Sequence, residues 1–173
     1  MRTIPTVPGS ETDRLRLRAF RADDLDAYAA VCADPEVMRH LGAGLPLDRP
    51  SAWQQMAAFA GEWSLHGWGM WAVAGRDDDR LIGRVGYLRP PDWPEVEIGW
   101  LLAREAWGRG LALEAARAAL RLGRASLGIA APISLIRPEN RRSIALAARL
   151  GAGFERTIVL RGVQARVYRH TPG

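Results

Sequence analysis

The residues of this chain best suited to chemistry stand in three short stretches. Gly108 and Gly110 lie in Trp107-Gly108-Arg109-Gly110-Leu111-Ala112, and Glu97 lies in Val96-Glu97-Ile98-Gly99-Trp100-Leu101-Leu102. Asn140 and Ser143 belong to Pro138-Glu139-Asn140-Arg141-Arg142-Ser143. Two glycines flanking one residue let the backbone turn sharply and meet a ligand with no Cβ in the way. A helix following such a turn aims its free N–H groups and positive dipole end back at it, an anion site suited to a diphosphate. A carboxylate among apolar neighbours is a candidate proton acceptor, because burial raises its pKa. Asparagine and serine before an apolar run are helix-capping groups in the first place. On these residues alone, the turn is a phosphate-binding loop of unspecified ligand.

The elements that must position these groups follow from periodicity. Val96 to Leu102 alternates as a strand, with Glu97, Gly99 and Leu101 on one face and Val96, Ile98 and Trp100 on the other. Glu95 shares the Glu97 face and is the reserve carboxylate. Leu111, Ala115, Ala118, Ala119 and Leu122 recur on one side of a helix that begins at the glycine turn. A glycine in mid-strand, such as Gly99, marks a bulge or a close approach. Ile133 to Ile136 is a short apolar strand, and Asn140 caps a helix that Gly151 and Gly153 end.

Upstream, Arg14 to Phe20 alternates as a half-exposed strand. Asp23 and Asp24 cap a helix presenting Leu25, Tyr28, Ala29 and Cys32 on one face. Pro35 opens a short helix ending near His40, residues 41–50 form a loop, and a helix spans about residues 51–65. Trp53, Phe59 and Trp63 are expected to pack onto the sheet, and Cys32 to be core. Gly69 to Ala74 and Leu81 to Leu88 form a hairpin around Arg76-Asp77-Asp78-Asp79, whose aspartates read as a solvated turn. Arg89 to Pro94 is a rigid connection, and a last hairpin, Phe154 to Arg161 and Val163 to His170, turns at Gly162. Residues 1–10 are expected to be a loose lead-in to a single domain over residues 11–173.

Trp107-Gly108-Arg109-Gly110-Leu111-Ala112-Leu113-Glu114-Ala115 resembles the pyrophosphate motif of the GNAT superfamily of acetyl-CoA-dependent N-acetyltransferases. Tryptophan at its first position, where the superfamily has arginine or glutamine, looks like the RimJ/RimL-like branch of ribosomal-protein N-terminal acetyltransferases. Glu11 to Arg18 followed by Arg21 to Leu25 is similar to that branch's opening. Asn140-Arg141-Arg142-Ser143 with the helix and Gly153-Phe154 is similar to the second GNAT motif.

The resemblance implies an α/β fold: a mixed, mostly antiparallel sheet of six or seven strands with helices on both faces. That sheet is splayed between its fourth and fifth strands, Val96 to Leu102 and Ile133 to Ile136. It further implies acetyl-CoA as cosubstrate, with pantetheine in the gap, and direct attack by a primary amine in a ternary complex. Trp107, Gly108, Arg109, Gly110, Leu111 and Ala112 then hold the diphosphate, and Asn140 and Ser143 the pantetheine. Backbone N–H groups over Gly99, Trp100 and Leu101 meet the thioester carbonyl. Glu97 is the base or binds the acceptor ammonium. Ser143 stands where this branch has an acid for the thiolate, because the tyrosine many GNAT enzymes use is replaced within Ala145-Leu146-Ala147. The acceptor is a protein N-terminal alanine or serine, or else a small-molecule amine or an antibiotic. The loops at 41–50, 89–94 (with Trp93) and around Gly162 are the candidate acceptor walls.

Composition agrees with a soluble globular chain. The 173 residues are 48% hydrophobic and 25% charged, with one cysteine, which excludes an internal disulfide or a multi-thiolate metal site. A net charge of +5, all positive residues being arginine, favours anionic ligands; three CoA phosphates account for it without nucleic acid. Neither a membrane span nor a signal core is visible, so the cytoplasm is the expected compartment. No metal is expected, and the chain is compatible with a monomer or a homodimer. A dinucleotide fingerprint fails at Leu113, an NTPase loop lacks its lysine, and Ser126 has Arg124 where a hydrolase elbow has glycine. The remaining rival is a module that binds acetyl-CoA without turnover.

Overall fold

A computed structural model describes residues 6–172. Eight strands form one sheet: β1 (Ser10–Glu11), β2 (Leu15–Arg18), β3 (Met70–Gly75), β4 (Leu81–Leu88), β5 (Glu97–Leu102), β6 (Ile133–Ile136), β7 (Gly153–Leu160) and β8 (Val163–Arg169). Their order is β1-β2-β3-β4-β5-β6-β8-β7, antiparallel throughout except between β5 and β6. Five helices join them: α1 (Leu25–Ala33), α2 (Pro35–Met38), α3 (Arg49–His66), α4 (Leu111–Ser126) and α5 (Arg141–Arg149). None of the described helices is long and apolar enough to cross a membrane.

Strand alternation sorts the core into two layers. Trp71, Val73, Val85, Tyr87 and Ile98 face α4, while Met70, Ala72 and Leu101 face α1 and α3. Glu97 and Gly99 share the Leu101 side by the same alternation, so the strand presents its carboxylate to the α1–α3 layer. Trp100 turns the other way, against the α4 layer and the small cluster beneath α5.

The expected elements recur with local corrections. The sheet has eight strands rather than six or seven, because Ser10 and Glu11 pair with Leu17 and Arg16. The lead-in is accordingly tied down: the Trp71 indole N–H donates to the Pro8 carbonyl at 2.6 Å, although residues 1–5 lie outside the described residues. Asp24 does not cap α1 with its side chain. It is buried and grips the Arg18 guanidinium at 2.7 and 2.8 Å, closing a short 3-10 turn before α1. Asp79 is more than a solvated turn residue, since it gathers Arg16, Arg18 and Arg21. The hydrogen bonds from Arg18 and Arg21 hold its carboxyl down at about 2. Phe59 and Trp63 are buried as expected, whereas Trp53 is 57% exposed. Cys32 is a buried free thiol whose pKa burial pushes up.

Candidate active site

The glycine turn adopts the form its residues require. Gly108 and Gly110 have φ of +73° and +75°, left-handed conformations that side chains resist. A Cβ at Gly108 would meet nothing within 4 Å, so the outer surface of the turn is open. Gly110 is the N-cap of α4 and offers no side chain to the helix's first N–H groups. Among the described residues, the N–H groups from Gly108 to Ala112 take no part in the backbone hydrogen bonds that close other turns and caps. Arg14 braces the loop from behind, donating to the Arg109 carbonyl at 2.8 Å and pairing with Glu114 at 2.6 Å. The Arg109 side chain itself is exposed and is not among the residues lining the cavity in front of the loop.

In front of the loop lies a cavity of about 820 Å³ between the end of β5, the first turn of α4 and the first turn of α5. Trp100, Leu101, Trp107, Gly108, Gly110, Leu111 and Ala112 line one side, and Asn140 and Ser143 the other. Arg39, Arg141, Arg142 and Arg149 outnumber Glu36 and Glu139 around it, which makes it electropositive. The Trp107 indole N–H is committed to the Leu102 carbonyl at 2.9 Å, and the Arg142 guanidinium covers its ring at 4.3 Å. Asn140 caps α5 through its Oδ1, which accepts from the Ser143 N–H at 3.2 Å. Its amide NH2 remains available to the cavity. The Ser143 hydroxyl accepts from the Trp100 indole at 3.2 Å, so its own proton is free to be donated elsewhere.

The parallel pair β5–β6 is joined at a single register position, Glu97 opposite Ile133. Ile133 N–H bonds the Val96 carbonyl at 3.0 Å; one residue on, the Ser134 hydroxyl reaches across to the Ile98 carbonyl at 2.9 Å. Beyond Ile98 the strands diverge. Because the Ile98 carbonyl is turned toward β6, alternation turns the Trp100 N–H the same way and those of Gly99 and Leu101 toward β4. Of the three expected carbonyl-facing donors, Trp100 is therefore the one directed into the gap. Gly99 is no bulge: its register with Gly86 is regular, and a Cβ there would touch Met70 and Leu88 at ordinary distances of 3.4 and 3.5 Å.

Glu97 is held at both oxygens. Oε2 accepts from the Trp93 indole at 2.6 Å, and Oε1 accepts from the Leu135 N–H at 3.3 Å. The residue keeps some exposure, yet desolvation of its carboxyl dominates these donors and pushes the pKa up to about 7. Arg84 on β4 works against that rise. The reserve carboxylate stands in a different setting. Glu95 is bound by Arg169 at 2.8 and 2.9 Å and by Arg156, and these partners hold its pKa below the usual range. Sequence reasoning missed the buried Arg84, which bonds Tyr28 at 3.1 Å and lies over Phe59 at 5.1 Å. A charged residue in the apolar run Leu81 to Leu88 was the available signal.

A splayed mixed sheet, a glycine turn at a helix N-terminus and a carboxyl of raised pKa beside the splay stand around one electropositive cavity. The chain belongs to the acetyltransferase (GNAT) domain family, whose description matches residues 14–153. It is similar to the crystal structure of the acetyltransferase from Agrobacterium tumefaciens str. C58, with 32% identity, 96% of both chains covered and a TM-score of 0.85. It is 30% identical to the uncharacterized N-acetyltransferase p20 of Bacillus licheniformis over 78% of this chain and 76% of that one. A structure of RimL, a ribosomal L7/L12 alpha-N-protein acetyltransferase in complex with coenzyme A, shares the fold at 17% identity. That likeness covers 95% of this chain and 97% of the other, with a TM-score of 0.75. The protein is an acetyl-CoA-dependent N-acetyltransferase that moves an acetyl group to an amine.

Proposed function

We propose that the acceptor is the free α-amino group of a protein beginning with alanine or serine, and that the enzyme is a RimJ/RimL-like cytoplasmic acetyltransferase. Support comes from Trp107-Gly108-Arg109-Gly110 and from the shared architecture with a protein N-terminal acetyltransferase. The observation that carries the mechanism is Glu97, a carboxyl whose pKa stands at about 7 on the sheet face opposite α4.

Acetyl-CoA, when bound, supplies an activated acetyl group as a thioester. The open N–H groups from Gly108 to Ala112 and the dipole of α4 fit its diphosphate, and the surrounding arginines add charge. The Asn140 NH2 donates to the pantetheine. The Trp100 N–H stabilises negative charge developing on the carbonyl oxygen. Glu97 takes a proton from the acceptor ammonium, directly or through one water. Its pKa near 7 suits that task, because the carboxylate is both populated and basic at neutral pH. Ser143 donates its free proton toward the departing thiolate.

Thiol release from acetyl-CoA, measured against a panel of acceptors, tests this reading. The panel holds peptides beginning with alanine or serine, a polyamine, free amino acids and an aminoglycoside. Turnover confined to the peptides is expected. Turnover on a small amine or the aminoglycoside alone would replace the N-terminal reading with a metabolic or detoxifying one. Binding of acetyl-CoA without any turnover would favour a non-catalytic module.

A further inference from the structure

Two of the candidate acceptor loops meet on one side chain. The 89–94 connection is stiffened by Pro90, Pro91 and Pro94, and the Trp93 N–H closes a turn on the Pro90 carbonyl at 3.1 Å. Its indole N–H donates to Glu97 Oε2 at 2.6 Å. The tip of the β7–β8 hairpin reaches the same loop from the far side of the splay. There Arg161 lies over the Trp93 ring at 4.9 Å and donates to the Pro91 carbonyl at 3.2 Å. Arg161 has φ of +49°, so the tip adopts a sparsely populated conformation in making this reach.

We infer that Trp93 and Arg161 are positioning residues for Glu97: the hairpin tip clamps the 89–94 loop, and the loop's indole fixes the carboxylate that receives the acceptor's proton. The inference rests on the reading of Glu97 as base. An indole N–H bonded to a carboxylate restricts its rotation and favours its ionised form. Glu97 is thus gripped from β6 through the Leu135 N–H and from the loop through Trp93. The charged group that acts on it is Arg84 on β4, while Glu95, two residues before it, is paired with Arg169 on β8 and Arg156 on β7. Because that cluster is internally paired, the indole is the adjustable contact. Neither Trp93 nor Arg161 lines the cavity in front of the glycine turn, so a change at Arg161 reaches the base through Trp93 without touching that cavity.

The test compares Trp93→Phe, Arg161→Ala and Arg161→Lys with wild type in the full-length enzyme. Two readouts are taken: the pH profile of kcat/KM for a turned-over acceptor, and the NMR titration of the Glu97 carboxyl, assigned with Glu97→Gln. Trp93→Phe keeps the ring and removes the donor. Its acidic limb and its Glu97 titration should both move to higher pH, by about one unit for a lost charge-assisted hydrogen bond. KM for acetyl-CoA should stay unchanged. Arg161→Ala, at an exposed tip whose loss leaves the core intact, should move the Glu97 titration and the acidic limb in the same direction as Trp93→Phe by a smaller amount and lower kcat/KM for the acceptor several-fold, and an unmoved titration would remove Arg161 from the clamp. Arg161→Lys should recover part of that loss by keeping a cation over the ring. Superimposable titrations of wild type and Trp93→Phe would overturn the clamp even if Glu97→Gln is inactive. A moved titration combined with an unimpaired Glu97→Gln would instead remove Glu97 as base, and with it the role of both residues in the reaction.

Discussion

Substituting Glu97 by glutamine separates the electrostatics of the site from its catalysis, because the consequence can be read in stability without any substrate. In the folded protein desolvation raises the Glu97 pKa from 4.5 to about 7. In the unfolded chain it returns to the ordinary carboxylate value. Between those two pH values the folded state holds a proton that the unfolded state has lost. The stabilising contribution is therefore fully present below 4.5 and disappears as pH rises through 7. The span of the shift corresponds to about 3 kcal/mol, an upper bound because the residue keeps some contact with solvent. Glutamine is uncharged at every pH and lacks this linkage. Urea denaturation of wild type and Glu97→Gln from pH 4 to pH 8.5 should thus show a stability difference that moves in favour of the variant by about 2–3 kcal/mol, nearly all of it between pH 4.5 and 7.5. Above that range the difference should be flat. A difference independent of pH would mean that Glu97 titrates normally, and the argument that burial prepares it as a base would collapse.

Two further outcomes follow from the same structure. In the Glu97→Gln background, stability should fall as pH drops from 6.5 toward 4, because burial keeps His170 neutral with a pKa lowered to about 4 while the unfolded imidazole protonates. Urea titration of Glu97→Gln with and without His170→Gln isolates that slope, and equal slopes would refute it. Gly110→Glu puts a carboxylate and a side chain at a φ of +75° on the N-cap of α4, and CoA affinity by calorimetry should fall on the order of 100-fold. Gly110→Ala, which carries the backbone strain without the charge, should lose less. Wild-type affinity in Gly110→Glu would remove the loop from the binding site.

Much of the scaffold is legible because local rules act there without competition. The helical period of α4, the alternation of β5 and the Asn140 cap are each decided by neighbours within one element, and each matches the structure. The orientation of Glu97 follows from the same alternation. Contacts that join distant segments left no such trace. Asp79 meets Arg18 across 61 residues, and β1 is two residues long and exists only by pairing with β2. Asp24 reads as a cap by type, but its carboxylate is claimed by a buried arginine that a helix rule does not see. Trp93 and Glu97 are four apart, a helical spacing, in a segment whose prolines forbid a helix. Their contact comes from the loop's path and could not be read from spacing.

The splay poses the sharper physical question, since a parallel pair that separates after one register position leaves ladder groups without partners. The structure answers it with side chains. Ser134 gives its single proton to the Ile98 carbonyl, so its oxygen must accept from His170 Nε2, 2.9 Å away, and the imidazole carries its hydrogen there. His170 is 1% exposed, and its Nδ1 is left a buried acceptor with no partner among the described residues. The carbonyl of Ile98 is satisfied on the β6 side before the strands part. The next group facing the gap is then the Trp100 N–H, whose own indole is tied to Ser143 across the cavity. The Trp100 N–H and the Ser143 hydroxyl proton thus face one cavity, and they are the two donors that the proposed mechanism assigns to a thioester's carbonyl oxygen and sulfur.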